Sequence, residues 1–268
     1  MGRHKLSASA LSQYLRSPRA YYWRYVAKLE PITLSVASFD HDKICGILWS
    51  AFVARFYAGI PEGQNTDKLL TDWAEQTQGW VPPAALKRLT TALESWAANY
   101  YRQFAADDGC RVESEKLVEN ERFLGYLDGW NPETRILHEV KSTSRSPQIS
   151  EQMWKVANSL QVRLYCVLTQ AEGLCIEFAY KDVPNAILRG PVQVVSKEQL
   201  QRWELELNAL ADSVYALGDN PDNYPCHPDG CCIVTKNMTA MCGYQSLCDM
   251  GLTDETRLGY RAKERRAN

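Results

Sequence analysis

Residues Phe123–Lys141 read FLGYLDGWNPETRILHEVK. Two apolar-rich runs, Phe123–Trp130 and Arg135–Lys141, flank Asn131-Pro132-Glu133-Thr134. Proline fixes φ and asparagine hydrogen-bonds its own backbone, so these four residues are turn chemistry and the stretch is expected to be a β-hairpin. Successive strand side chains alternate faces. A loop over 131–134 sets Trp130 opposite Arg135 and Asp128 opposite Leu137. Glu139 and Lys141 share the parity of Leu137, so Asp128, Glu139 and Lys141 project from one face. Asp128 and Glu139 are then diagonal neighbours, roughly 7 Å apart at the backbone.

Two carboxylates at that separation, with an ammonium one pleat further on, suit a divalent cation. Mg²⁺ takes oxygen ligands, usually one or two carboxylates, and completes its shell with water and substrate phosphate. Such an ion polarises a phosphodiester and acidifies a water. Lys141 is placed to orient that water or to offset charge in the transition state. The same D-x10-E-x-K pattern also fits a solvated strand face with an incidental Glu–Lys pair.

Outward from the hairpin, Arg111–Val118 alternates loosely and Asn120-Glu121 turns the chain. On the other side, Ser144 or Ser150 opens a helix over about 151–170 that Gly173 ends. Within it Gln161 and Tyr165 stand at i and i+4, on one face. LCIEFAYK alternates as a strand, and Val192–Val195 forms another. Ser196-Lys197-Glu198-Gln199 is a capping box for a helix reaching Leu217, with Gly218 as its stop.

The first 109 residues read as helical. Ser9 is the expected N-cap of a short helix through Arg16, and Pro18 starts the next, RAYYWRYVAK. Its alternating basic and aromatic residues fit contact with a single strand of nucleic acid, or a core helix with a solvated edge. Cys45–Gly59 is an apolar helix, Thr66 is expected to cap one ending near Gly79, and Ala84–Ala106 is the longest. There Leu86, Leu89, Leu93, Trp96, Tyr100 and Phe104 make one apolar stripe. The expectation is a single domain over 1–268: a helical region 1–109, a β-β-β-α-β-β core 110–196, and a helix with a Cys-rich tail 197–268. The fold class is α/β (α+β), with a central mixed sheet flanked by helices.

The 268 residues are 45% hydrophobic with net charge −2, so any nucleic-acid surface must be local. No apolar run approaches the ~18 residues of a membrane span. MGRHKLSASALSQ has neither the apolar core of a signal peptide nor a myristoylation pattern, and a cytoplasmic location is expected. Nine cysteines without an export signal argue against a disulfide framework. Five of them fall between Cys226 and Cys248.

Gly125-Tyr126-Leu127-Asp128, Glu139-Val140-Lys141-Ser142 and Gln161-x-x-x-Tyr165 follow one another in order, behind LSASALSQYLRSPRAYYWRY. The set resembles the PD-(D/E)XK nuclease superfamily, RecB-like branch, and most of all its phage-type exonucleases and CRISPR-associated adaptation nuclease. The resemblance implies a restriction-endonuclease-like core and a Mg²⁺- or Mn²⁺-dependent DNA nuclease, an exonuclease of recombination, repair or phage DNA processing, in a bacterial or phage-infected cell. It makes Asp128 and Glu139 metal ligands, with the Val140 carbonyl a third, and Lys141 the catalytic lysine. Gln161 and Tyr165 would position the DNA strand or the site itself. A further family acid, ahead of the Gly-x-x-Asp strand, falls to Glu119 or Glu121.

Two departures stand out. Trp49 occupies the expected place of a metal-shell histidine, and His41, eight residues earlier, reads as a surface loop residue. Trp49 therefore keeps open a second reading: a catalytically weak DNA-end-binding module that recruits a helicase, annealing protein or integrase. Ser17 stands where iron–sulfur members place a cysteine. Cys242 and Cys248 keep the family's C-x5-C arrangement, and Cys226, Cys231 and Cys232 with His227 offer local partners. A set such as Cys226, Cys232, Cys242 and Cys248 suits structural zinc or an iron–sulfur cluster. Free buried thiols are the other reading. Cys45, Cys110, Cys166 and Cys175 are expected in the core.

Overall fold

The computed structural model describes residues 4–31, 41–76, 83–104, 112–143, 149–180, 187–225, 244, 247–248, 251–258 and 260–262. Along the chain run α1 (Ala8–Arg16), α2 (Pro18–Tyr21), a π-helical turn (Tyr22–Val26) and β1 (Leu29–Pro31). Next come α3 (His41–Tyr57), α4 (Glu62–Gln76), α5 (Pro83–Phe104), β2 (Lys116–Glu119), β3 (Leu124–Leu127), β4 (Gly129–Asn131) and β5 (Ile136–Thr143). Then follow α6 (Ile149–Ala157), α7 (Leu160–Thr169), β6 (Gly173–Tyr180), β7 (Ile187–Arg189), β8 (Gln193–Val194), α8 (Lys197–Ala216), α9 (Asp254–Arg257) and β9 (Tyr260–Ala262). No helix among the described residues is long and apolar enough to cross a membrane. The chain divides into two compact units, one of residues 1–36 with 205–268, the other of residues 37–204.

The 37–204 unit is built on a mixed sheet in the order β4-β5-β6-β7, with β8 also on β6. β5 and β6 are parallel; β4 on β5, and β7 and β8 on β6, are antiparallel. All eight residues of β6 are buried, as befits a strand covered on both faces. The apolar stripe of α5 is core as expected, with Leu89, Leu93, Trp96 and Tyr100 buried alongside Cys45, Trp49 and Phe52 of α3. Cys166 and Cys175 are buried too; Cys110 lies outside the described residues.

Several expectations need correction here. The run 123–130 is not one strand: it breaks at Asp128 into β3, which pairs with β2, and β4, which pairs with β5. Trp130 faces Leu137, not Arg135. The Asn131 side chain accepts from the backbone N–H of Glu133 and Thr134 at 3.0 Å each, so Asn131 caps the turn while its backbone stays in the ladder. Arg135 then closes the turn at φ 54°. The shift is two residues, an even number, so the shared face survives. The single helix over 151–170 is two, because Ser159 caps α7 afresh through Val162 N–H. Gln170 ends α7 at φ 53°, and Gly173 already belongs to β6. Thr66 lies inside α4, its hydroxyl turned back to the Glu62 carbonyl, and caps nothing.

In the other unit the chain ends fold together. β1 pairs antiparallel with β9, and Ala20, Trp23, Tyr244, Leu247 and Tyr260 form one buried cluster against which Cys248 packs. Tyr21 and Trp23 are core residues, so that helix follows its core reading at these positions. Ser7, not Ser9, caps α1, accepting from Ala10 N–H at 3.2 Å. Ser17 is buried and accepts from Ala20 N–H at 3.2 Å, capping α2 one residue ahead of Pro18.

Losing a side-chain cap costs about 1 kcal/mol. Ser17→Ala is expected to lower the urea midpoint accordingly, whereas Ser9→Ala, at an exposed position inside α1, leaves it unchanged or slightly raised.

Candidate active site

Asp128 sits at the bend between β3 and β4, where the backbone changes sheets. β4 begins only at Gly129, so the ladder has no carbonyl for Val140 N–H. The Asp128 carboxylate supplies the acceptor instead: Oδ2 accepts from Val140 N–H at 2.9 Å. That bond ties the bend to β5 and brings the aspartate beside Glu139 and Lys141. Extending the two registers by one residue each sets Asp128 between Glu115 on the β2 side and Glu139 on the β5 side.

Glu139 is fully buried and forms an ion pair with Lys141. Beyond that pair, neither of its oxygens has a hydrogen-bond partner. Burial pushes its carboxyl above the usual range and Asp128 adds to the rise, while Lys141 opposes it. The Asp128 carboxyl is raised by burial and held back by Lys141 and Val140 N–H. Burial works against the Lys141 ammonium, but Glu139 and Asp128 outweigh it and hold the lysine protonated. Lys141 Nζ also donates to Gln161 Oε1 at 3.4 Å. Gln161 hydrogen-bonds the Tyr165 hydroxyl, which also meets the Tyr126 backbone. The five residues Asp128, Glu139, Lys141, Gln161 and Tyr165 are therefore one connected group.

Gly125 is what lets α7 come so close. A Cβ at position 125 would lie 2.3 Å from Cε1 of Tyr165. The glycine four residues ahead of β4 and the tyrosine of α7 are two halves of one contact.

The acid near Asp128 on the β2 side is neither Glu119 nor Glu121. Glu119 faces Leu124, at the far end of the β2–β3 ladder. Glu115 stands there instead, left-handed at φ 52°, its carboxyl raised by partial desolvation and by the Asp128 charge. It forms one lip of an open cleft of about 700 Å³ along α3, with Gly46, Ile47, Ser50, Ala51, Ala54 and Arg55 as the other wall. Nothing in the local pattern marked Glu115, because its place depends on the β2–β3 register. Trp49 does not line this cleft. It is buried against Phe52, Trp96 and Tyr100, so its bulk fills the core.

The donor set suits a hard divalent cation. Two carboxylates converge, both pushed toward protonation, and the buried Glu139 oxygens have no donor beyond the Lys141 ammonium, a costly state that a cation would relieve. His138, Cys175 and Glu177 also bring ligand atoms within 4.8 Å of one another. There Arg189 already neutralises Glu177, donating from Nε at 3.1 Å, which makes the trio part of an ion-pair network. In the tail, Cys226, Cys231, Cys232, Cys242 and His227 lie outside the described residues, as does the side chain of His41.

A family model described as PD-(D/E)XK nuclease superfamily matches residues 5–249. No curated protein matches the chain. Among solved structures, a phage related exonuclease from Haemophilus somnus 129PT is similar over 45% of this chain and 67% of its own, with 13% sequence identity and a TM-score of 0.35.

Overpacking at the Gly125–Tyr165 contact is expected to cost about 1–3 kcal/mol. Gly125→Ala should therefore lower stability by that amount in urea. In a double-mutant cycle with Tyr165→Ala most of the loss should vanish, since the shortened side chain leaves room for the new methyl. Additive losses would show that the two residues do not meet.

Proposed function

Because the chain belongs to the PD-(D/E)XK nuclease superfamily, we propose that it is a divalent-metal-dependent deoxyribonuclease, an exonuclease working from DNA ends in recombination, repair or phage DNA processing. The observation that carries the metal dependence is the Glu139 carboxylate: fully buried beside Asp128, with no donor beyond the Lys141 ammonium it pairs with. Asp128 and Glu139 would hold the cation, with the Val140 carbonyl as a further ligand and Glu115 within reach from the β2 side. Mg²⁺ or Mn²⁺, when bound, polarises a phosphodiester and acidifies water.

The protein's own groups supply the rest. Lys141 keeps its proton on Nζ and offers positive charge where the attacked phosphate gains negative charge. Gln161 accepts from the Lys141 ammonium and also hydrogen-bonds Tyr165, while Glu139 pairs with the same amine, so the ammonium is held between α7 and the carboxylates. Tyr165 in turn is seated by Gly125, which links the orientation of α7 to the strand that carries Asp128. Specificity would rest on the DNA backbone and ends, because phosphate contacts position a protein without reading sequence. Such an enzyme would act in the cytoplasm.

The test is end-labelled linear DNA with Mn²⁺. Wild-type protein should release nucleotides and EDTA should stop it, while covalently closed circles persist. Lys141→Ala, Asp128→Asn and Glu139→Gln should each lower the rate by at least about 100-fold. Degradation of closed circles would make the enzyme an endonuclease. Binding of DNA ends with no cleavage by any variant, wild type included, would favour the end-binding module that recruits a helicase, annealing protein or integrase.

A further inference from the structure

On the face of the sheet opposite Lys141 lies a second buried carboxylate, Glu177. It stands beside Val140 in the β5–β6 register. Its Oε1 accepts from Tyr57 OH at 2.9 Å and from Arg189 Nε at 3.1 Å, and lies 3.3 Å from His138 Nδ1. Oε2 accepts from Tyr100 OH at 2.6 Å. Arg189 donates again to Tyr100 OH at 3.1 Å and stacks 3.6 Å over the Phe104 ring. Tyr57 and Tyr100 come from α3 and α5, and His138, Glu177 and Arg189 from β5, β6 and β7, so the network clamps two helices to three strands.

Three routes out of this network end at a candidate metal ligand. His138 directly precedes Glu139. Gly129 directly follows Asp128, and a Cβ there would lie 3.0 Å from His138 Cβ and 3.3 Å from Tyr57 Cε2. The backbone of β4 is thus seated against Tyr57 and His138 as closely as a glycine allows. Val140, partner of Glu177 in the ladder, is the residue whose N–H holds Asp128.

We propose that the Tyr57–His138–Glu177–Arg189 network sets the spacing of Asp128 and Glu139, with Tyr57 as the positioning residue that transmits it through Gly129. Tyr57 touches neither carboxylate of the pair. It fixes the surface on which the Asp128–Gly129 backbone rests, while its hydroxyl, held by Glu177 and 3.3 Å from His138 Nδ1, keeps the ring from turning. The inference takes the identity of the ligand from the nuclease reading.

The experiment is isothermal titration of Mn²⁺ into DNA-free protein. Tyr57→Phe keeps the ring and removes only the hydroxyl; it should weaken Mn²⁺ binding by about 10-fold, the scale on which partners of metal ligands act. In cleavage assays the Mn²⁺ half-saturation point should rise by a similar factor, while the rate at saturating Mn²⁺ falls by no more than about twofold. Gly129→Ala, which pushes on the same contact from the other side, should also weaken Mn²⁺ binding. Because both act through one contact, the double variant should lose less than the product of the two. A merely structural network would lower the melting temperature of Tyr57→Phe and leave its Mn²⁺ affinity at the wild-type value, and that result overturns the inference. Wild-type protein that binds no Mn²⁺ would overturn both this inference and the metal-dependent reading beneath it.

Discussion

The site depends on one hydrogen bond that a strand should have made and a side chain makes instead. β3 and β4 belong to different ladders, and the residue between them cannot complete either. Asp128 resolves this by accepting from Val140 N–H with its carboxylate. The bond satisfies a buried donor, which is costly to leave unmade. It also fixes where the aspartate's charge lies, because a carboxylate held by a backbone N–H has little freedom left. Everything else in the group is positioned from β5, the strand that supplies the donor: Glu139 and Lys141 by alternation, Gln161 and Tyr165 by their hydrogen bonds toward that face.

Such a group is expensive for the fold alone. Burying carboxylates with so few donors costs free energy, and the raised Asp128 and Glu139 carboxyls register that cost. Lys141 offsets part of it. The rest is borne by the surrounding packing: the Trp49, Phe52, Trp96 and Tyr100 ring cluster, the all-buried β6, and the tight Gly125–Tyr165 contact. Trp49 contributes on this side of the balance, as part of the core that holds the sheet rigid, rather than as a substitute for a metal ligand.

Alternation of side chains made the shared face of Asp128, Glu139 and Lys141 legible in the sequence, and i, i+4 spacing did the same for Gln161 and Tyr165. The turn was misplaced because Asn131 looks like a loop residue. Its side chain does cap the turn, but its backbone stays in the ladder. A slip of one residue would have scattered the acids; the slip of two did not. Glu115 was hidden for a different reason: only the β2–β3 pairing brings it toward Asp128, and pairing partners are not written locally. Glu177 was hidden by its setting in LCIEFAYK. A single acid in an alternating strand reads as a solvent-facing position, and its burial depends on Tyr57, Tyr100 and Arg189 arriving from three distant segments.

Glu139 and Glu177 make a controlled comparison inside one sheet. Both are fully buried, on neighbouring strands, on opposite faces. Burial presses each toward the neutral form, yet they diverge. Against that burial, Glu177 gathers His138, Arg189 and the Tyr100 hydroxyl, and its carboxyl settles below the usual range. Glu139 faces another acid and has only Lys141 to set against burial, and its carboxyl rises. A carboxylate with its lone pairs taken by two phenols and a guanidinium has nothing to offer a cation; one left with a single ammonium, next to a second acid, does. The chemistry of the site therefore lies not in the number of buried acids but in which of them the rest of the fold has left unfinished.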